Sequence, residues 1–487
     1  MWHGGVNLSS ITLGERVKQL RTKQKISMKG LAHKLNVDPA HMSRIESNKI
    51  VPSDILISKM SNLLKCQKEE LVVLSGKIPK DIKQIIRENP IEAYNALRCL
   101  KDNTNMLYDT KTELNYKNKY KLIDLFSGAG GMTAGFVASK RFEPVFANDF
   151  DKWSVASYNR NFGNHAVCTD INKLLENDSF TFPRCDIVIG GPPCQGFSLL
   201  NKNRKNDPRK QLWRAYMEVV RQTCPTAFVI ENVPGLYNSS EYEEILKSAT
   251  ELGYKVEGKI LNAADYGVPQ RRKRTIIIGL CNSILPIHPE PTHQDIQSNR
   301  GNQFFGSLLP WETVRRAIGD LPEPVGTDIR LNEVPPLNLH FGRNPAPKSV
   351  LRYKCIPEGG NRFDLLRKRP DLTPNCWIKK KDGGTDLFGR LWWDKPSFTI
   401  RTEFFKPEKG RYLHPESNRP ITHREAARLQ SFADSFVFEG SKIEVAKQIG
   451  NAVPVLLAQR IAETVAWLMD KTQTKINSDA RWIASNG

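Results

Sequence analysis

A chain of 487 residues exceeds what one hydrophobic core usually serves, so two or three domains are expected before any motif is read. Lys and Arg total 72 against 52 Asp and Glu, a net charge of +20 that favours a polyanionic partner and puts nucleic acid first. The nine cysteines form no CxxC pair and no regular spacing, which argues against a disulfide framework and against a zinc site, so no metal is expected. No apolar run approaches the ~20 residues that span a bilayer, and the N-terminus carries no apolar signal core. A soluble, cytoplasmic protein is expected.

Residues 11 to 75 carry apolar side chains at helical spacing, beginning with Val17, Leu20 and Ile26 and continuing through Leu31, Leu35, Met42 and Ile45. Ser27 can cap a helix over MKGLAHKL, NVDP makes a turn, and AHMSRIES forms a second helix after Pro39. The stretch ISMKGLAHKLNVDPAHMSRIESNKIVPS resembles the phage-repressor (Cro/cI-like) helix-turn-helix family. That resemblance implies a second helix in the major groove, with His41, Ser43 and Arg44 facing DNA. The competing reading is a small helical bundle used for dimerisation or packing. Residues 76 to 118 turn polar and charged and read as a linker, which places a domain boundary near 118.

Beyond it, short apolar runs alternate with helical stretches. KLIDLF, EPVFAN, DIVIG, AFVIE and RTIIIGL read as buried strands, while 131 to 139, 150 to 161, 209 to 223 and 240 to 251 read as helices. The pattern predicts an α/β doubly wound sheet over 119 to 280. Residues 281 to 420 break the rhythm with prolines, glycines and tryptophans and are expected to form an irregular second domain. Helical patterns return at 423 to 431 and 443 to 469, giving a C-terminal part of the core over 421 to 470 and a tail over 471 to 487.

In DLFSGAGG, an apolar strand runs into Gly128, Gly130 and Gly131 just before a helix, a tight turn whose backbone can approach a nucleotide-like ligand. Asp149, at the end of the next strand, is placed to hold ribose hydroxyls, and Asp170 in CTDIN is either a contact for the adenine end or an ordinary helix cap. GGPPCQGFS follows DIVIG directly, so Cys194 sits in a loop at a strand's carboxyl end, where open α/β sheets bind ligands. A lone cysteine is usually inert, but Pro192 and Pro193 stiffen this approach and Gly196 leaves room beside the thiol. AFVIE then leads into ENVPG, bringing Glu231 to the matching end of the adjoining strand, and QRRKR adds Gln270, Arg272 and Arg274 before another strand.

Taken in order, DLFSGAGG, GGPPCQGFS, ENV, QRRKR, HREAARLQSF and QIGNAVP resemble the motifs of the DNA cytosine-5 methyltransferase family over about residues 119 to 470. The resemblance implies a Rossmann-like S-adenosylmethionine-dependent fold. It places Phe126, Gly128, Gly130 and Ile171 on the cofactor, Asp149 on its ribose, Phe150 against the adenine, Asp170 near the adenine amino group, and Asn451 beside them. The family commonly has Glu where this chain has Asp149. Cys194 would be the nucleophile toward cytosine, with Glu231, Arg272 and Arg274 holding the base. Gln195 and Ser198 would brace the space left by a flipped base. Residues 281 to 420 take the place of the target-recognition domain, where Thr399 and Ile400 resemble the recognition dipeptide and Arg390, Arg401 and Lys406 are candidate base or phosphate contacts. Trp392, Trp393, Phe404 and Phe405 read mostly as core. The expected partner is double-stranded DNA, with a restriction endonuclease acting on the same site. The rival readings are an RNA cytosine-5 methyltransferase of the same fold and a non-enzymatic repressor on a methyltransferase scaffold.

Overall fold

The computed structural model describes residues 12–66, 68–77, 119–193, 212–281, 284–296, 308–379 and 382–486. The chain divides into two compact units, Met1–Asn115 and Tyr116–Gly487.

The first unit is helical. Helix α1 (Leu13–Lys23) opens with a reciprocal cap in which Thr12 N donates to Glu15 Oε2 at 2.9 Å while Thr12 Oγ1 accepts from Glu15 N. Ser27 caps α2 (Met28–Leu35), its Oγ accepting from Gly30 N at 3.0 Å, and Asn36 at φ 53° ends it. Asp38 caps α3 (Pro39–Glu46), whose first position is Pro39. Helices α4 (Asp54–Leu64) and α5 (Lys68–Leu74) follow among the described residues of this unit. Val17, Leu31, Met42, Ile45, Ile57 and Met60 are fully buried at its centre. A Cβ on Gly14 would lie 2.3 Å from Glu46 O, so this glycine is what lets α1 close on α3.

The second unit is built on a seven-stranded sheet ordered β3-β2-β1-β4-β5-β7-β6. Its elements are β1 (Tyr120–Leu125), α6 (Gly131–Ala138), β2 (Phe142–Asp149), α7 (Lys152–Phe162), β3 (Ala166–Cys168), α8 (Ile171–Leu175), β4 (Ile187–Gly190), α9 (Leu212–Thr223), β5 (Ala227–Asn232), α10 (Ser240–Glu251), β6 (Lys255–Asn262) and β7 (Lys273–Leu280). The strands from β3 to β5 run parallel, while β7 is antiparallel to both β5 and β6. The chain winds outward from β1 to β3 and then returns to β4 on the other side of β1, so strand order reverses between β1 and β4. Such a switch point opens a crevice at the strands' carboxyl ends.

The strands β3 and β6 were not among the expected apolar runs. Both lie at sheet edges, where one face or flank is wet, and β6 (KVEGKILN) carries charges there. One side of the sheet is covered by α6 and the C-terminal helix, through Met132, Phe136, Leu457, Ile461 and Val465. The other is covered by α9 and α10, through Trp213, Tyr216, Val220, Tyr242 and Ile245.

Among the described residues from 284 to 420 regular structure is sparse: short helices α11 (Val314–Ile318), α12 (Pro347–Lys354), α13 (Arg362–Lys368) and α14 (Asn375–Lys379), and the small pairings β8 (His293–Gln294) with β9 (Leu309–Pro310) and β10 (Gly389–Arg390) with β11 (Arg411–Leu413). This segment belongs to the same compact unit as the sheet. Leu391, Ile400, Phe404 and Tyr412 share a core with Ala426, Leu429, Phe432 and Ile449, from helices α15 (His423–Leu429) and α16 (Lys442–Asn451) and the turn after α15. Phe404 is fully buried, while Trp393 and Phe405 pack partly buried against that core. The helical pattern expected over 443 to 469 is broken at 452–454, where the chain bends by 41° before α17 (Val455–Asn486), which continues through the expected tail. Among the described residues no single helix is long and apolar enough to cross a membrane.

Candidate active site

The crevice is walled on one side by the glycine turn after β1. Phe126 sits at φ 56°, a left-handed conformation that costs a non-glycine residue on the order of 1–3 kcal/mol and is held by Ser127 N donating to Asn148 O at 3.0 Å. Gly130, at φ 90°, presses on α7: a Cβ there would lie 2.4 Å from Phe162 Cε2. Apart from its own chain neighbours, a Cβ on Gly128 would meet no atom of the described residues within 4 Å, so among them the turn is open on that side. A Cβ on Gly131 would lie 2.8 Å from Val453 O, which shows how closely the C-terminal NAVP segment approaches the turn; Asn451 is exposed there.

Asp149 is buried at the end of β2, its Oδ2 accepting from Gly128 N at 2.8 Å and its Oδ1 from Asp151 N at 2.9 Å. Burial pushes its carboxyl above the ordinary value, against the pull of those N–H groups. Beside it the Phe150 ring is 74% exposed. Asp170 is exposed and caps α8, accepting from Asn172 N at 2.9 Å. Ile171, expected on the cofactor, is 2% exposed and packs with Val188 and Phe146 in the core, because it is the first apolar residue of α8 facing the sheet.

Sequence reasoning passed over Asp124, the acid inside the first strand. It is 1% exposed, accepts from Thr133 Oγ1 at 2.6 Å, and burial pushes its pKa up to about 7. Thr133 also contacts Tyr158 OH at 3.1 Å, and Tyr158 packs on Gly130. The signal was the acid in an otherwise apolar run.

Across the crevice, β4 ends in Gly190 and leads to Gly191, Pro192 and Pro193; Cys194, Gln195 and Ser198 lie outside the described residues. Asn232 Nδ2 donates to Pro192 O at 3.0 Å, fixing this approach. A Cβ on Gly191 would lie 3.1 Å from Glu231 Oε2, so the glycine lets the carboxylate rest against the strand that leads to Cys194. Glu231 is 8% exposed and its Oε1 pairs with Arg274 Nε at 2.7 Å. The pairing follows from topology: β7 is antiparallel to β5, with Ile276 opposite Glu231, so the first residues of β7 arrive at the end of β5.

Several expected contacts are placed elsewhere. Arg272, expected to hold the base, is 2% exposed and donates from Nη1 to Ile400 O at 2.9 Å and from Nη2 to Gly450 O at 3.0 Å, which makes it a strut between segments. Arg390, expected on DNA, is 3% exposed and donates to the carbonyls of Tyr353, Ile356, His414, Glu416 and Ser417. It ties short strand β10 to carbonyls of the surrounding loops and of α12. Ile400 is fully buried, so its side chain faces the core rather than DNA. Thr399 is half-buried with Oγ1 donating to Arg271 O at 3.0 Å, Arg401 is exposed, and Lys406 pairs with Glu403. In the first unit, Ser43 and Arg44 are exposed on α3 and His41 is half-buried. No group of His, Cys, Asp and Glu suited to a metal occurs among the described residues.

A sheet of this order, with a glycine turn after β1 and an antiparallel β7, defines the S-adenosylmethionine-dependent methyltransferase fold. A prophage-encoded protein of E. coli, solved as a DNA modification methyltransferase, shares it with a TM-score of 0.53 and 24% identity over 72% of this chain and 100% of that one.

The chain belongs to the C-5 cytosine-specific DNA methylase family, whose model matches residues 120–467, and a helix-turn-helix model matches residues 17–71. Type II methyltransferase M1.HphI of Haemophilus parahaemolyticus is 36% identical over 353 residues, covering 70% of this chain and 86% of the relative. Type II methyltransferase M.NgoFVII of Neisseria gonorrhoeae is 34% identical over 366 residues, covering 74% and 90%. The protein is thus a DNA cytosine-5 methyltransferase with an N-terminal helix-turn-helix unit, its partner is double-stranded DNA, and its family uses S-adenosylmethionine.

Proposed function

We propose that this chain is the modification methyltransferase of a restriction–modification system, methylating carbon 5 of a cytosine turned out of one short duplex site. The Type II relatives support the biological setting. The observation that carries the chemistry is the buried Glu231–Arg274 pair at 2.7 Å, set against Gly191 on the approach to Cys194.

The residues around the glycine turn suit a nucleoside cofactor. Gly128 leaves the backbone approachable, Asp149 is a fixed acceptor for ribose hydroxyls, and the exposed Phe150 ring offers a face to adenine. Phe126 and Gly130 belong to the same turn, and Asp170, the cap of α8 beyond β3, and Asn451 complete the proposed cofactor set. Bound there, S-adenosylmethionine supplies a methyl group activated by its sulfonium.

Carbon 5 of cytosine is a poor nucleophile. The Cys194 thiolate adds to carbon 6, forming a C–S bond and shifting electron density to carbon 5, while Glu231 hydrogen-bonds N3 and the amino group and steadies the charge that develops. Arg274 fixes one carboxylate oxygen of Glu231 and leaves Oε2 beside Gly191. Once carbon 5 carries the methyl group, loss of its proton expels the cysteine. Reaching carbon 6 requires the base to leave the stack, at a cost of about a few kcal/mol, with Gln195 and Ser198 in the nucleophile's loop bracing the gap. Thr399 and Arg401 present the contacts that select the site. The first unit binds a separate operator through His41, Ser43 and Arg44 and regulates expression of the system.

Two experiments test this. Transfer of labelled methyl to DNA is expected to vanish in Cys194→Ser with folding intact; retained transfer would remove the covalent step. Arg44→Ala in the full chain is expected to weaken operator binding by about tenfold, the scale of one lost base or phosphate contact, with methylation rates kept. Loss of both together would contradict the division of labour.

A further inference from the structure

The recognition segment meets the catalytic core along a short ladder. Ser397 N donates to Pro269 O at 2.9 Å, Arg271 N to Ser397 O at 2.8 Å, and Thr399 Oγ1 to Arg271 O at 3.0 Å. At the next residue, both backbone groups are gripped by side chains. Ile400 N donates to Gln270 Oε1 at 2.8 Å, and Ile400 O accepts from Arg272 Nη1 at 2.9 Å.

Neither grip is local. The fully buried Gln270 also donates from Nε2 to Leu429 O at 3.1 Å and to Gln430 Oε1 at 3.0 Å. Gln430 Nε2 donates in turn to Ile449 O at 2.7 Å, and Arg272 Nη2 to Gly450 O at 3.0 Å, next to Asn451. The same run of chain ends at Arg274, the partner of Glu231. Residues 270–274 thus hold the recognition strap at one end and the base site at the other.

We infer that Gln270 and Arg272 are positioning residues that lock the register of strap residues 397–401 against the Glu231–Arg274 site, so that discrimination between the recognised sequence and its one-base variants depends on Gln270. The inference rests on the proposed role of Thr399 and Arg401 in site selection. These two positions flank the clamped Ile400, and a contact that reads a base edge loses its geometry when its support shifts by a fraction of an ångström. Removing the Gln270 acceptor leaves Ile400 N–H buried and unpaired, which the strap relieves by moving.

The test compares Gln270→Met with Gln430→Met. The second removes the support behind Gln270 but leaves the bond to Ile400 in place. For Gln270→Met we expect the ratio of methylation rates on recognised against one-base-changed DNA to fall about tenfold, as when one good base contact is lost, with a raised KM for DNA and unchanged affinity for S-adenosylmethionine. Hydrogen exchange at the Ile400 amide should speed up in this variant. Gln430→Met should keep the discrimination ratio and the Ile400 protection even if its melting temperature drops. Wild-type discrimination in Gln270→Met, or equal loss in both variants, would overturn the inference. If the wild type methylates no DNA, the functional reading fails by itself, and an Ile400 amide still protected in Gln270→Met would separately refute the clamp.

Discussion

The carboxyl edge of the sheet and the irregular segment from 308 to 420 solve the same problem differently. In the sheet, backbone groups satisfy one another along β1, β4 and β5, and the site residues stand where strands end. In the irregular segment buried arginines take over that work. Arg411 donates to the carbonyls of Gly359, Gly360, Thr385 and Arg390, and Arg362 to those of Trp377 and Gly383. A guanidinium suits this role because its donors form a rigid planar fork. Burial lowers the Arg390 pKa to about 10, so the group stays charged at neutral pH. Part of the chain's net charge of +20 is therefore internal scaffolding rather than a surface for phosphates.

Glu231→Gln should have the largest effect. Loss of the carboxyl at the sheet edge is expected to lower kcat about 10²–10⁴-fold, with the KM for S-adenosylmethionine unchanged, in steady-state methyl transfer. A loss of only a few-fold would detach Glu231 from the chemistry.

Two arginines of the irregular segment have opposite roles. Arg390→Met strands several buried carbonyls and should destabilise the protein by about 3–5 kcal/mol in denaturant unfolding, the scale of an uncompensated buried polar loss. Arg401→Ala, at an exposed position, should change stability by no more than about 0.5 kcal/mol while reducing the salt dependence of DNA binding by about one unit of slope. The reverse pattern would return Arg390 to the DNA surface.

A pH-dependent effect concerns Asp124 behind the glycine turn. Its folded pKa of about 7 lies above the ordinary 3.8, so the folded state prefers the protonated form. Stability from this group is full at pH below about 4 and is lost as pH rises toward about 7, where the buried carboxylate ionises. Asp124→Asn keeps an acceptor for Thr133 Oγ1 and cannot ionise. The melting temperature of the variant relative to the wild type should therefore climb between pH 5 and pH 8, and a flat difference would mean that Asp124 is not so perturbed.

These outcomes bear on what the sequence could disclose. The sheet edge was legible because its signals are local: an apolar run ending in DLFSGAGG, GGPPC or ENV fixes both a strand and the direction its last residue faces. Ser27 as a cap and Pro39 at a helix start were legible for the same reason. Arg390 and Arg272 were misread because an arginine donating to carbonyls and one donating to phosphates look alike in sequence, and the partners that decide lie far along the chain. Ile400 was read as a contact when its backbone, not its side chain, is what the fold holds. The break at 452–454 and the edge strands escaped notice because helical spacing continues across the bend and because edge strands need little apolar content.

Incubating the wild-type chain with S-adenosylmethionine and either duplex DNA or total RNA, then sequencing both at base resolution for 5-methylcytosine, decides which nucleic acid is the substrate. We predict methylation of one cytosine within a single short DNA motif and none in RNA. Methylation confined to RNA, or none in either, would contradict the prediction.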